Sequence, residues 1–377
     1  MATFDLSAFR KQLHKHPELS GQEVKTAKIV VQTLEQFNPE DMITNLGGTG
    51  VAAIFDSGNP GTTTMFRSEL DALPIQESNT FQHKSITDNV SHKCGHDGHS
   101  TILIGLAEQL SANPPSKGRV ILLFQPAEET GEGAKAILND DKFNALKPDF
   151  IFALHNVPGF KKGVIVCKDK AFTPSVISFV LKLKGKTSHA AEPEHGINPD
   201  MALQELIYRI KQLDNANMDA DDYATIATVY ATLGSKDYGI SAGYAELHMT
   251  IRTWTPEQLA QLKNTICGII EEVTKAKKLQ YDLDWIDEFT ANINNSEAVE
   301  YIKQAAHIMG YTYHSKPHPF KWGEDFGLFT QHFKGAMFGL GSGENTPALH
   351  NPDYDFPEDI IPYGVNMFHA IIKQIHA

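Results

Sequence analysis

The chain has 377 residues, 41% hydrophobic and 21% charged, an ordinary globular composition with room for about two domains of roughly 150 residues each; disordered and fibrous classes are excluded. The 33 Lys+Arg are scattered among 46 Asp+Glu, giving a net charge of −13, so no nucleic-acid partner is expected. No segment approaches the roughly 20 apolar residues of a membrane span, no leader-like start is visible, and Cys94, Cys167 and Cys267 are too dispersed for a disulfide framework; a cytoplasmic protein without a membrane partner is expected.

In chain order, helical periodicity is predicted at Leu6–Leu13 and Thr26–Phe37, strands at Val51–Phe55 and Thr63–Arg67, a helix near Ser100–Leu110, a strand at Arg119–Phe124, a helix near Gly133–Leu138 and a strand at Phe150–Leu154. Such alternation implies an α/β domain with a mostly parallel sheet and helices on both faces. From about Thr173 the pattern becomes strand Val176–Leu183, helix from Pro199 to about Leu213, strands Thr225–Leu233 and Tyr244–Arg252, helix from Pro256 to about Ala276, and strand Tyr281–Ile286. That order is an α+β, ferredoxin-like block. After about Asp287 the α/β pattern resumes with helix Ser296–Met309, strand Gly335–Gly339 and a helix from about Glu358 to Ile375. The expected division is residues 1–172 with 287–377 as one discontinuous domain, and 173–286 as an insertion.

Four places gather reactive side chains. Residues 91–101 hold Cys94 and His96 two apart, immediately before a helix; in extended backbone such residues point the same way, and a helix N-terminus favours a thiolate. A polar helix entry with an incidental cysteine would read the same. The buried strand Arg119–Phe124 leads to the paired acids Glu128 and Glu129, where ligands of open α/β sheets bind. Neighbouring side chains are expected to diverge, so that one acid binds a metal and the other takes a proton. Strand Phe150–Leu154 runs into His155, and Ala336–Leu340 reaches His350 through a loop. A thiolate, imidazoles and carboxylates together form a donor set that Zn²⁺ accepts, with manganese, cobalt and nickel as alternatives. The glycines near Gly47–Gly50 and Gly339–Gly343 lack dinucleotide-loop spacing.

Further segments complete a pattern: Leu13-His14-Lys15-His16-Pro17-Glu18-Leu19-Ser20 with Glu23, Asp71-Ala72-Leu73-Pro74, Cys94-Gly95-His96-Asp97-Gly98-His99, Phe124-Gln125-Pro126-Ala127-Glu128-Glu129, His155, Ser188-His189-Ala190-Ala191, Arg252-Thr253, Glu324-Asp325-Phe326 and Leu349-His350. Almost end to end, the chain resembles the N-acyl-amino-acid amidohydrolases of the dinuclear-metal aminoacylase and carboxypeptidase superfamily. Their branch includes hippurate hydrolases, indoleacetyl-amino-acid hydrolases and N-acetyl-diaminopimelate deacetylases. The resemblance implies a zinc-peptidase-like catalytic domain with an inserted lid and dimerisation domain, hence a possible homodimer. It implies two divalent ions per chain, bound by Cys94, His96, Glu129, His155 and His350, with the thiolate bridging them. It further implies cleavage of N-acetyl- or N-benzoyl-type amino acids by a metal-bridging hydroxide with Glu128 as general base and His189 as oxyanion donor. Arg252 is a plausible clamp for the substrate carboxylate, since guanidinium grips carboxylate in a fork; a solvated strand-end arginine is the alternative.

Departures from the family pattern are Glu69 in place of aspartate, where an added methylene is expected to disturb a contact near the metals, Gly239-Ile240-Ser241-Ala242 in place of a lid asparagine motif, Gly323 in place of serine, and Glu132 interrupting paired glycines. Two other functions stay open: a dipeptidase or carboxypeptidase using the same site, or a metal-binding protein that has lost turnover. Cys167 and Cys267 read as packing residues, and His14 and His16 as supports of the N-terminal helix.

Overall fold

A segment such as Arg119–Gln125, apolar at five consecutive positions, offers no polar face, so it folds as a strand only where both sides are covered. In the computed structural model, which describes residues 4–377, that strand lies inside an eight-stranded sheet. From one edge the order is Asp41–Leu46, Gly50–Asp56, Arg119–Gln125, Thr63–Glu69, Phe150–Pro158, Lys334–Gly343, Ile165–Cys167 and Tyr313–Ser315. The four central strands, from Arg119–Gln125 to Lys334–Gly343, run parallel. Antiparallel joins occur toward the edges.

The two sheet faces are buried by different helices, as strand alternation requires. Phe66, Val120, Leu122, Phe124, Phe152 and Phe338 share one core with Leu103, Leu106 and Phe368. Here helix His96–Ala112 packs with Leu6–Lys15 and Ile361–Ile375. The intervening Met65, Ile121, Leu123, Ile151 and Met337 are equally buried on the opposite face, where the short helices Gly133–Leu138 and Gly327–His332 meet. Helix starts follow their capping residues: the Asp5 carboxylate accepts from Ala8 N at 2.9 Å, and Asn295 accepts from Glu297 N and Ala298 N.

The second unit comprises Thr173–Ala291 and His318–Gly323. Its antiparallel sheet has the order Ala224–Leu233, Tyr244–Thr253, Ser175–Lys184, Gln280–Phe289, the strand order of a ferredoxin-like unit. Alternate residues Ile177, Phe179, Leu181 and Leu183 pack with Leu206, Ile210, Ile266 and Ile270 of helices Asp200–Lys211 and Pro256–Ala276. The second helix begins with a capping box between Thr255 and Gln258 and has Pro256 at its first position.

Two boundaries need correction. The block expected to end at residue 286 continues to Ala291, because strand Gln280–Phe289 stays paired with Ser175–Lys184 as far as Phe289↔Val176. The excursion His318–Gly323 into the second unit had no signal in periodicity. The short strands Asp41–Leu46, Ile165–Cys167 and Tyr313–Ser315 were likewise not expected from the sequence; each is amphipathic or only three to six residues long.

Candidate metal centre

In the first unit, four chain segments converge at the carboxyl side of the central strands; His155 lies within Phe150–Pro158, which runs past the expected end at Leu154 and pairs at His155↔Gly339. Gly95, between Cys94 and His96, has φ +93°, and a Cβ there would lie 2.5 Å from Asn156 Nδ2. Only glycine meets both conditions, so the turn that presents Cys94 and His96 depends on it. Helix His96–Ala112 starts at the next residue.

His96 and His155 each use one nitrogen for support. His96 Nδ1 donates to the Asp71 carbonyl at 2.9 Å, leaving Nε2 facing Glu128 Oε2 at 3.8 Å and Glu129 Oε1 at 3.9 Å. His155 Nδ1 donates to the Asn156 carbonyl at 2.8 Å, while its Nε2 lies 3.4 Å from Cys94 Sγ. A ring fixed through one nitrogen with the other directed into a donor cluster is the arrangement of metal-binding histidines. His350, in a left-handed turn at φ 66°, places Nε2 3.7 Å from Glu129 Oε1. Its backbone N–H donates to Lys93 O at 2.8 Å, joining this loop to the residue before Cys94.

The five expected ligands therefore come together in overlapping sets: Cys94 with His96 and His155, Cys94 with Glu129 and His350, and His96 with Glu128 and Glu129, all with donor atoms within 4.8 Å. Glu128 and Glu129 do not diverge as a strand would have them. They lie in a turn after the strand, at Ala127 with φ 50°, so both reach His96. Their other neighbours differ: Glu128 faces Glu324 and Asp325, and Glu129 faces Cys94 and His350.

A divalent cation fits this donor set. His96 Nε2 and Glu129 Oε1 are buried without a hydrogen-bond partner among the described residues, a costly state that a cation relieves. Burial, then the nearby Glu129 and Glu128 carboxylates, push the Cys94 thiol well above its usual range. Burial, then Glu324 and Glu129, likewise push Glu128 well above the usual carboxylate range. Burial raises Glu129 to about 7 against the opposing His96. Burial and then His99 hold His155 well below its ordinary value, keeping its ring neutral. Negative groups crowded in a dry pocket thus resist ionisation until positive charge arrives.

Supporting residues that sequence reasoning left without a role surround this cluster. Asp71 Oδ2 accepts from Glu129 N at 3.0 Å and Ser20 Oγ at 2.7 Å. Buried Glu23 accepts from Ala127 N at 2.9 Å and so holds the turn carrying Glu128. Buried Arg67 donates to Glu324 at 3.0 Å, Asp325 at 2.7 Å and Gln125 at 2.8 Å, and also pairs with Glu69. His14 does more than support its helix: it contacts Asp97 at 2.8 Å and Glu77 at 3.1 Å. The motif segments contained His14, Ser20, Glu23, Asp71, Gln125, Glu324 and Asp325 but not Arg67, and the partners are distant in sequence. Cys167 is fully buried in the core, as expected, whereas Cys267 is partly exposed.

In the second unit, His189 is exposed, pairs with Ile240 in a two-residue ladder, and its Nδ1 accepts from Ala191 N at 3.0 Å. The ring hydrogen therefore sits on Nε2. Arg252 is half-buried and its Nε donates to Lys321 O at 3.1 Å. It makes no ion pair among the described residues, and burial lowers its pKa.

Comparison with known proteins follows the geometry. Residues 65–374 match the model of peptidase family M20/M25/M40. The hippurate hydrolase of Campylobacter jejuni is 30% identical over 366 residues, covering 97% of this chain and 94% of that protein. The N-acetylcysteine deacetylase of Bacillus subtilis is 30% identical over 361 residues, covering 95% and 93%. The Bacillus subtilis YXEP protein, described as a dinuclear metal binding peptidase from the M20 family, superposes with TM-score 0.84 at 27% identity, covering 98% of this chain and 97% of that one. A structure from methicillin-resistant Staphylococcus aureus has TM-score 0.90 at 22% identity, covering 99% and 96%, and shares the fold. The chain belongs to peptidase family M20/M25/M40 and is a metal-dependent hydrolase.

Proposed function

We propose that this hydrolase cleaves the amide bond of N-acyl amino acids, of N-acetyl or N-benzoyl type, releasing a carboxylic acid and a free amino acid. The observation that carries the proposal is the donor cluster itself, with His96 Nε2 and Glu129 Oε1 buried and unpaired beside Glu128. Relatives named for hippurate and N-acetylcysteine support the substrate class. Cys94, His96, Glu129, His155 and His350 would hold two divalent ions, which when bound polarise the carbonyl and acidify water. Thiolate and imidazole favour zinc, although manganese, cobalt and nickel suit the same donors.

Glu128 takes the proton of the attacking water and delivers it to the departing amine. It is suited to this because it stands in the cluster without being needed as a ligand. His189 donates from Nε2 to the charge that develops on the carbonyl oxygen. Arg252, without a carboxylate of its own, binds the substrate's α-carboxylate. We also assign the second unit as the lid and the homodimer contact, which sedimentation of the intact protein checks.

The test combines elemental analysis with hydrolysis of N-acyl amino acids and unblocked dipeptides by one sample, before and after chelation and metal return. Two ions per chain with chelator-sensitive release from N-acyl substrates are expected; preferential cleavage of dipeptides would make it a dipeptidase. Glu128→Gln keeps its metals and loses about 10²- to 10⁴-fold in turnover, the usual contribution of a general base. Near-normal turnover in that metal-replete variant removes Glu128 from its role, and two metals without cleavage of any amide leave a binding protein.

A further inference from the structure

Glu69 ends the strand Thr63–Glu69 and is fully buried. Its two oxygens serve different partners: Oε1 accepts from Arg67, and Oε2 lies 2.7 Å from His99 Nδ1. On the far side of the His99 ring, Asn156 N donates to Nε2 at 3.1 Å, and Asn156 Nδ2 lies 3.0 Å from the same nitrogen. A backbone amide only donates, so His99 Nε2 is an acceptor and its hydrogen sits on Nδ1, against the Glu69 carboxylate.

Asn156 is itself fixed in orientation. The Tyr354 hydroxyl donates to its Oδ1, and its Nδ2 donates to the Cys94 carbonyl at 2.7 Å. Its own carbonyl accepts from His155 Nδ1 at 2.8 Å. One line of hydrogen bonds thus runs from Arg67 through Glu69, His99 and Asn156 to both Cys94 and His155. Glu69 falls within 4.8 Å of His96 and His99, yet both of its oxygens are already engaged, so it is not a spare ligand.

We propose that Glu69 is a positioning residue: by fixing the His99 tautomer it sets Asn156, which holds Cys94 and His155 in the register needed to bind metal. This rests on the metal-centre assignment above. Without the carboxylate, Arg67 keeps Glu324, Asp325 and Gln125, and the His99 hydrogen is free to move to Nε2, where it opposes the Asn156 N–H. The consequence falls on the placement of the ligands, not on contact with substrate.

The test titrates metal-free protein with Co²⁺ alone, reading affinity by chelator competition and ligand geometry by the thiolate-to-cobalt absorption band. Glu69→Ala is expected to weaken Co²⁺ binding by about 10- to 100-fold, the usual effect of losing a group that orients metal ligands, and to shift the band. His99→Ala should reproduce both changes, and the double variant should be no worse than either single one, because the two act in one line. Glu69→Asp, which restores the charge, should recover most of the affinity. Glu69→Gln, equal in size, carries the comparison if Glu69→Ala fails to fold. A purely structural role would lower stability while leaving the band of the folded protein unchanged, and wild-type affinity and band in a folded variant overturn the proposal. Wild-type protein that binds no Co²⁺ defeats the metal assignment itself, whereas equal binding by wild type and variants defeats the positioning role alone.

Discussion

Replacing a proposed metal ligand should make the metal-free protein more stable, not less. Glu129 is nearly buried, and its carboxyl is raised from an ordinary 4.5 to about 7. The folded chain therefore holds this proton more tightly than the unfolded chain does, so stability falls as pH rises from about 4.5 toward 7, a difference of about 3 kcal/mol once both states are ionised. Glu129→Gln mimics the protonated acid and escapes that loss. In chelator-treated protein, urea unfolding should show the variant ahead by about 1 kcal/mol at pH 5 and about 3 kcal/mol at pH 8. Saturating metal should reverse the order, since binding to the native state stabilises only the chain that retains the ligand. A constant difference between pH 5 and 8 in metal-free protein would refute the proposed burden of buried negative charge.

Other outcomes follow from single contacts. Arg252→Ala should raise KM for N-acyl amino acids by about 10- to 100-fold, the worth of a charge-assisted contact, and leave KM for the corresponding amino-acid amides unchanged; equal effects on both would remove Arg252 from carboxylate binding. Gly95→Ala forces a Cβ to 2.5 Å from Asn156 Nδ2 at a positive φ, and should cost about 2–4 kcal/mol in thermal unfolding through strain and overpacking. His14, despite its burial, is raised to about 9 by Asp97 and Glu77. Its stabilisation is complete below about pH 6.5 and lost as pH rises through 9, so His14→Gln should flatten that part of the stability profile by up to about 3 kcal/mol.

Periodicity revealed the central strands because their burial on both faces demands apolar runs, and it revealed the second unit because Ser175–Lys184 and Tyr244–Thr253 alternate cleanly. It was silent on Ile165–Cys167 and Tyr313–Ser315, whose pairing is set by neighbours far along the chain. The proposed metal ligands were legible because Cys94 and His96 are close in sequence and Glu129 and His350 follow strands, whereas His155 lies within Phe150–Pro158. Their supports were less so: nothing in the spacing of Glu23, Arg67, His99 and Asn156 announces that Glu23 holds the turn before Glu128, or that Asn156 binds the Cys94 carbonyl. The expected divergence of Glu128 and Glu129 failed because strand alternation stops at Gln125, before the turn.

The strand Lys334–Gly343 lies in the sheet between Phe150–Pro158 and Ile165–Cys167, and His350 follows it. A chain emerging from the ribosome therefore carries four of the proposed donors, the Cys94 thiol included, well before the fifth exists. The sheet interior stays open until that late strand enters, after the whole inserted unit has been translated. On the proposed ligand set, the complete donor cluster forms only after that strand is in place, and until then the nascent sheet offers an unfilled edge for wrong pairing.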